Sequence, residues 1–84
     1  MEFEPQAFED LQYWVRFQAK MAKRLLRLIE ETQRDPFSGI GKPEPLKNDL
    51  SGCWSKRIDD EHRLVYKVTE DALIIMQCRF HYEK

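Results

Sequence analysis

The sequence predicts an α+β domain: two N-terminal helices packed on one face of a small, mainly antiparallel sheet. Three observations predict it. Apolar residues recur at helical spacing from Ala7 to Ile29, and they alternate at strand spacing from Trp54 onward. The strand-period segments are separated only by the short turns Asp59-Asp60-Glu61 and Thr69-Glu70-Asp71. Two helices followed by a hairpin-linked meander place the helices on one side of an antiparallel sheet. The 84 residues hold one domain, spanning 1–84, with a single modest core.

Taken in order, a first strand is expected over residues 1–4. It stops at Pro5, which cannot donate to a strand ladder. Pro5 suits the first turn of a helix over residues 5–17, with Phe8, Leu11, Trp14 and Val15 on one side. A second helix over residues 19–33 gathers Met21, Leu25, Leu28 and Ile29 on one face. Lys20, Lys23, Arg24 and Arg27 fall opposite. Asp35-Pro36 ends this helix, because the residue before a proline is pushed out of helical geometry.

Residues 37–52, rich in Gly, Pro, Asn and Asp, read as a long loop, and loops of that length often carry function. Strands are expected over 53–58, 62–68 and 72–82. Alternation sends Trp54, Leu64, Tyr66, Val68, Ile74, Met76, Cys78 and Phe80 toward the core. The opposite face then carries Ser55, Arg57, Arg63, Val65, Lys67, Gln77, Arg79 and His81. A solvated sheet face is usually mixed in charge; this one has cations and an imidazole but no carboxylate.

Composition narrows the classes further. With 42% hydrophobic and 35% charged residues the chain is too apolar for an intrinsically disordered one. No apolar run approaches the ~20 residues that span a bilayer. The acidic start, Met-Glu-Phe-Glu-Pro, has no apolar signal core, so a cytoplasmic protein is expected. Cys53 and Cys78 lack metal-type spacing and are expected as reduced thiols, with no metal and no cofactor.

Lys and Arg total 14 against 15 Asp and Glu, a net charge of −1. That balance lacks the strongly basic footprint usual for a nucleic-acid binder. Charge is nevertheless segregated. Arg16, Lys20, Lys23, Arg24 and Arg27 fall in a stretch from Arg16 to Ile29 that contains no acid. Such segregation attracts phosphate locally. The stripe on the second helix is therefore either a plain solvated face or an RNA contact.

Several residues carry candidate chemistry, each beside a plainer alternative. Gly39-Ile40-Gly41-Lys42 lacks the spacing of a phosphate-binding loop. Glu44 lies between Pro43 and Pro45, so its backbone is held extended and its carboxylate swings through a narrow range. That fixation suits a general base, and equally a rigid turn with a solvated glutamate. Arg57 and Arg63 flank a short turn on adjacent strands, where two guanidiniums can meet one phosphate or remain merely exposed. His81 shares their face, and an imidazole trades protons near neutrality. His62 has the opposite parity and is expected to be structural. Tyr82 shares the parity of Phe80, which favours packing.

Taken together, these residues and their neighbours resemble a family. Asp35-Pro36-Phe37, the run from Gly41 to Lys47, Leu50-Ser51-Gly52 and Trp54-Ser55-Lys56-Arg57-Ile58 are similar to the YoeB toxins. So are Glu61-His62-Arg63-Leu64-Val65-Tyr66 and the closing Arg79-Phe80-His81-Tyr82. The YoeB toxins belong to the RelE/ParE-type toxin superfamily. The resemblance implies a RelE/YoeB-like microbial RNase fold and a ribosome-dependent mRNA endonuclease of a type II toxin–antitoxin system. It implies a homodimer, neutralised by a YefM-like antitoxin, that cuts translated mRNA without a metal. In the family's pattern Glu44 is the general base and His81 the general acid. Arg57 and Arg63 hold the scissile phosphate, with Lys47 and Tyr82 in support. Lys20, Lys23, Arg24 and Arg27 are the candidates for gripping the ribosome. The rivals are a toxin that occupies the ribosome without cutting, and a ParE-like toxin aimed at gyrase.

Overall fold

The structure, a computed structural model, describes residues 1–80. Its elements in chain order are β1 (Glu2–Phe3), α1 (Pro5–Phe17), α2 (Ala19–Arg34), β2 (Glu44–Pro45), β3 (Cys53–Arg57), β4 (Arg63–Val68) and β5 (Leu73–Gln77). A single turn of 3-10 helix, Asn48–Leu50, interrupts the loop after β2. The strands form one sheet in the order β1-β5-β4-β3-β2. β1 runs parallel to β5 and every other pair is antiparallel. Both helices cover one face, which is the α+β arrangement expected.

Proline punctuation sets the helix boundaries. Pro5 opens α1 from an extended Glu4, and α2 ends where Asp35 turns extended before Pro36. Gln18 is the hinge between the helices, its N–H donating to Trp14 O at 2.8 Å. On α2 the expected face is the buried one: Leu25, Leu28 and Ile29 lie in the core and Met21 packs at its edge. On α1 the expected Trp14 is buried and Leu11 packs against the core, but Ala7 and Asp10 join them while Phe8 and Val15 stand exposed. Asp10 accounts for the rotation. Its carboxylate accepts the Cys78 N–H at 3.0 Å and Gln6 Nε2 at 2.9 Å, so burying it satisfies a backbone donor that has left the sheet.

The sheet departs from simple alternation in β5. Tyr66 pairs with Ile75 but Val65 pairs with Gln77, so Met76 is an extra residue, a β-bulge. Leu73 and Ile75, not Ile74 and Met76, therefore join Tyr66 and Leu64 in the core, and Cys78 regains the core side beyond the bulge. Val68, also expected inside, is exposed at its strand end. Beyond Gln77 the chain is held by α1: Trp14 Nε1 donates to Cys78 O at 2.8 Å. Arg79 consequently leaves the open face, its guanidinium lying 3.4 Å from the Tyr13 ring centroid. Phe80, expected in the core, is exposed with φ of 64°. The expected end of the last strand at residues 81–82 lies outside the described residues.

The loop of residues 37–52 is more ordered than its composition implies. Arg57 N donates to Gly41 O at 2.7 Å, β2 pairs Glu44 with Ser55, and Leu46 N donates to Cys53 O at 2.9 Å. Beneath it, the Tyr66 hydroxyl donates to Pro36 O and the Phe37 ring packs on Trp54 at 4.9 Å. Lys56 is fully buried and its Nζ donates to Asp35 O at 3.1 Å. The loop is thus added to the sheet edge as a fifth strand.

Candidate active site on the open sheet face

Cross-strand pairing builds the site. Glu44 faces Ser55, Ser55 faces Val65, and Val65 faces Gln77, so these four form one row across the sheet face away from the helices. One step along, Arg57 faces Arg63. Glu44 reaches this face only because β2 joins the sheet, and it supplies the carboxylate that alternation in the three later strands lacks.

Within that row the side chains meet. Arg63 Nη1 donates to Glu44 Oε1 at 3.1 Å, and Ser55 Oγ lies 3.5 Å from the same nitrogen. Arg63 keeps only 16% of its side-chain exposure whereas Glu44 keeps 49%, so the guanidinium is sunk into the sheet and the carboxylate stands above it. Beside them Leu46, Cys53 and Val65 form a small buried apolar cluster, with Leu50 and Met76 packed against it. This cluster pins the loop immediately after Glu44. Burial pushes the Cys53 thiol above its ordinary range, against the opposing pull of Lys67.

Arg57 is exposed at the end of β3. With Gly41 and Ile58 it borders a groove of about 380 Å³ that also takes in Arg24, Arg27 and Lys42. Lys20, Lys23, Arg24 and Arg27 are all exposed on α2, and of these Arg24 and Arg27 line the groove with Arg57. Asp59 and Asp60 also line this groove. Lys47 stands exposed three residues beyond Glu44. His81 and Tyr82 lie outside the described residues; the described chain ends at Phe80, whose carbonyl accepts the Arg63 N–H at 3.0 Å.

His62 takes the structural place its parity implied, edge-on to Trp14 with ring centroids 4.7 Å apart. Lys56 is the residue that motif reasoning passed over. It shares the parity of Trp54, and that was the available signal: burial lowers the pKa of its amine, opposed by the charges of Asp35 and Glu31, to hold the loop that carries Glu44. Among the described residues no three His, Cys, Asp or Glu side chains gather in a metal-binding group, and no helix is long and apolar enough to cross a membrane.

The two-helix, five-strand fold is that of solved small toxins of bacterial toxin–antitoxin systems. Residues 3–82 match the family model for the YoeB-like toxin of bacterial type II toxin–antitoxin systems, and the chain belongs to that family. It is 56% identical over 82 residues to Toxin YoeB of Mycobacterium bovis, covering 98% of this chain and 96% of that one. The YoeB/ParE toxin from Agrobacterium tumefaciens superposes with a TM-score of 0.92 at 44% identity, over 96% of both chains. The toxin solved from Staphylococcus aureus, both as a YoeB dimer and as a YoeB–YefM complex, gives 0.88 at 45% identity over 96% of this chain and 94% of that one.

Proposed function

We propose that this protein is a ribosome-dependent mRNA endonuclease, cutting translated messages by attack of a ribose 2′-hydroxyl on the adjacent phosphate. The observation that carries this is the pairing of Glu44 with Arg63 at 3.1 Å, with Arg57 as the cross-strand neighbour of Arg63. In the proposed reaction Glu44 takes the 2′-hydroxyl proton and the oxygen bonds to phosphorus. Arg57 and Arg63 stabilise the charge that builds on the phosphoryl oxygens, and His81 protonates the departing 5′-oxygen. The products are a 2′,3′-cyclic phosphate and a 5′-hydroxyl, and the balance needs neither metal nor cofactor. Lys47 and Tyr82 hold the substrate.

A carboxylate is a weak base for a ribose hydroxyl, so alignment of the message supplies much of the rate. The ribosome provides that alignment, gripped by the basic stripe Lys20, Lys23, Arg24 and Arg27. The protein works in the cytoplasm as a homodimer, restrained by a YefM-like antitoxin; the dimer and the YefM complex of the S. aureus relative support this.

The test is to map RNA 5′ ends after brief expression, and on purified RNA with and without ribosomes. New ends carrying a 5′-hydroxyl, opposite a cyclic phosphate and only on translated message, are the expected result. Arrested growth with every message intact would instead identify a toxin that blocks the ribosome without cutting.

A further inference from the structure

A cluster of cations stands beside the candidate site with nothing to neutralise it. Arg24 and Arg27 of α2, Lys42 of the loop and Arg57 of β3 line one groove of about 380 Å³. All four are exposed, and none of their side chains has a hydrogen bond or an ion pair to a described residue. Four like charges around one cleft repel one another and focus their field on an anionic guest. The loop is held firmly against β3 here. Gly41 O accepts the Arg57 N–H at 2.7 Å, and a Cβ on Gly41 would lie 2.9 Å from Lys56 Cβ. Lys42 follows with a left-handed φ of 50°, an uncommon conformation for a lysine, in a segment that the proposed chemistry does not use.

The groove offers more than positive charge. Leu28 and Ile58, both buried, and the half-exposed Ile40 give it an apolar wall, and Asp59 and Asp60 add acceptors. Asp59 Oδ1 is already taken by the N–H groups of Glu61 and His62, at 2.8 and 2.7 Å. The Asp60 carboxylate has no partner among the described residues. Carboxylates in the lining disfavour an acidic peptide, whose own charges would face them. They suit a nucleotide. A nucleotide brings a phosphate for the cations, a flat base for the apolar wall and N–H donors for a carboxylate. Among the RNA bases guanine presents two adjacent donors, N1–H and the 2-amino group, which one carboxylate can accept together. The volume also falls in the range of about 300–1,000 Å³ usual for small-molecule sites.

We infer that this groove is a nucleotide subsite for single-stranded RNA, taking a guanosine with its phosphate. Arg57 belongs to both places, since it lines the groove and is the cross-strand partner of Arg63. The guanosine therefore lies next to the linkage that the nuclease reading puts at the Glu44–Arg63 pair. The inference deepens that reading and rests on it for the identity of the strand. Binding of the nucleotide needs no cleavage.

The test titrates the protein with 5′-GMP, 5′-AMP, inorganic phosphate and hexaglutamate, following the methyl NMR signals of Leu28, Ile40 and Ile58. GMP is expected to shift all three and to bind about 5- to 100-fold more tightly than AMP, with inorganic phosphate weaker than either. With the variants shown folded by circular dichroism, Arg24→Ala combined with Arg27→Ala should weaken both nucleotides by about 10-fold or more. Asp60→Ala should bring GMP down to the affinity of AMP. Methyl signals that millimolar GMP leaves unmoved overturn the inference, as does inorganic phosphate binding as tightly as GMP. So does a full guanine preference in Asp60→Ala. Hexaglutamate binding more tightly than GMP would identify a protein partner and overturn it too. Should GMP bind as expected while no message is cut, the nuclease reading falls and the groove stands as a nucleotide site. Should messages be cut while GMP leaves the groove untouched, the groove falls alone.

Discussion

The Glu44 carboxylate accepts a hydrogen bond from Arg63 across 19 residues of chain, at 3.1 Å on the bare face of the sheet. Neither residue is brought there by its own strand alone. Glu44, flanked by Pro43 and Pro45, arrives on a two-residue edge strand, and Arg63 is the first residue of β4.

Because Glu44 is half exposed, the pair is worth only about 0.2–1 kcal/mol to stability. Glu44→Gln should therefore melt close to the wild-type temperature, yet lose about 10²- to 10⁴-fold in single-turnover cleavage of ribosome-bound message. A variant that cuts at the wild-type rate would remove Glu44 from the chemistry.

Asp10 offers a test of the scaffold. Asp10→Ala leaves the buried Cys78 N–H without its acceptor and should lower unfolding free energy by about 1–3 kcal/mol in urea titration. Asp10→Asn retains an oxygen for Cys78 and should lose far less. Equal losses would mean that the carboxylate charge, rather than the acceptor, matters there.

Two left-handed glycines separate backbone strain from crowding. At Gly52, with φ of 94°, a Cβ meets no atom within 4 Å, so Gly52→Ala carries conformational strain alone, about 1–2 kcal/mol. At Gly41, with φ of 88°, a Cβ lies 2.9 Å from Lys56 Cβ and 3.1 Å from Arg57 O. Gly41→Ala should be the more destabilising in urea, and should also depress cleavage by shifting the segment that leads to Glu44.

Alkaline pH should unfold the protein by a traceable route. Burial, aided by Asp35, pushes the Tyr66 hydroxyl from 10.0 up to about 12, and burial, aided by Asp10, pushes the Cys78 thiol from 9.0 up to about 12. The unfolded chain releases these protons first, so their contribution is intact below pH 9 and is lost as pH climbs to about 12. Lys56 works in the opposite sense: its lowered pKa is a penalty relieved as pH rises toward 10.5. The relief at Lys56 is complete near pH 10.5 while the losses at Tyr66 and Cys78 continue toward 12, so urea midpoints should fall beyond pH 10.5. Tyr66→Phe should be less stable at pH 8, by about 1 kcal/mol for the lost bond to Pro36 O, but should show a shallower alkaline decline.

The α2 stripe is open to a salt test. Lys20→Glu combined with Lys23→Glu alters two exposed side chains and should leave the fold intact. Ribosome binding should weaken, and its log–log salt dependence should flatten by about 1–2 if both lysines meet phosphate. An unchanged slope would mark the stripe as a solvated face.

Much of this architecture is legible in the chain itself. Pro5 and Asp35-Pro36 mark the helix ends, and the parity of β3 and β4 puts Arg57 and Arg63 side by side, because those strands have one buried and one open face. β5 resisted the same treatment. Leu73-Ile74-Ile75-Met76 is apolar throughout, so its phase is unreadable, and the bulge at Met76 shifts it. The open face is also not wholly open, since Val65 is buried there under Leu46. Half of the α1 face is hidden from periodicity for a related reason: it contains an acid, whose partner is a backbone amide 68 residues away. Local periodicity holds no trace of that. Glu44 stands out in the loop by its flanking prolines, and the resemblance to YoeB toxins, carried by ordered motifs across the chain, implies its role.

The parallel pairing of β1 with β5 has a bearing on how the molecule is born. The first strand has no partner until the last one exists, and Asp10 and Trp14 must wait for Cys78 to leave the exit tunnel. A nascent chain stalled short of β5 can form its two helices but not a closed core. Synthesis therefore yields no folded fragment, and the core closes in a single late step.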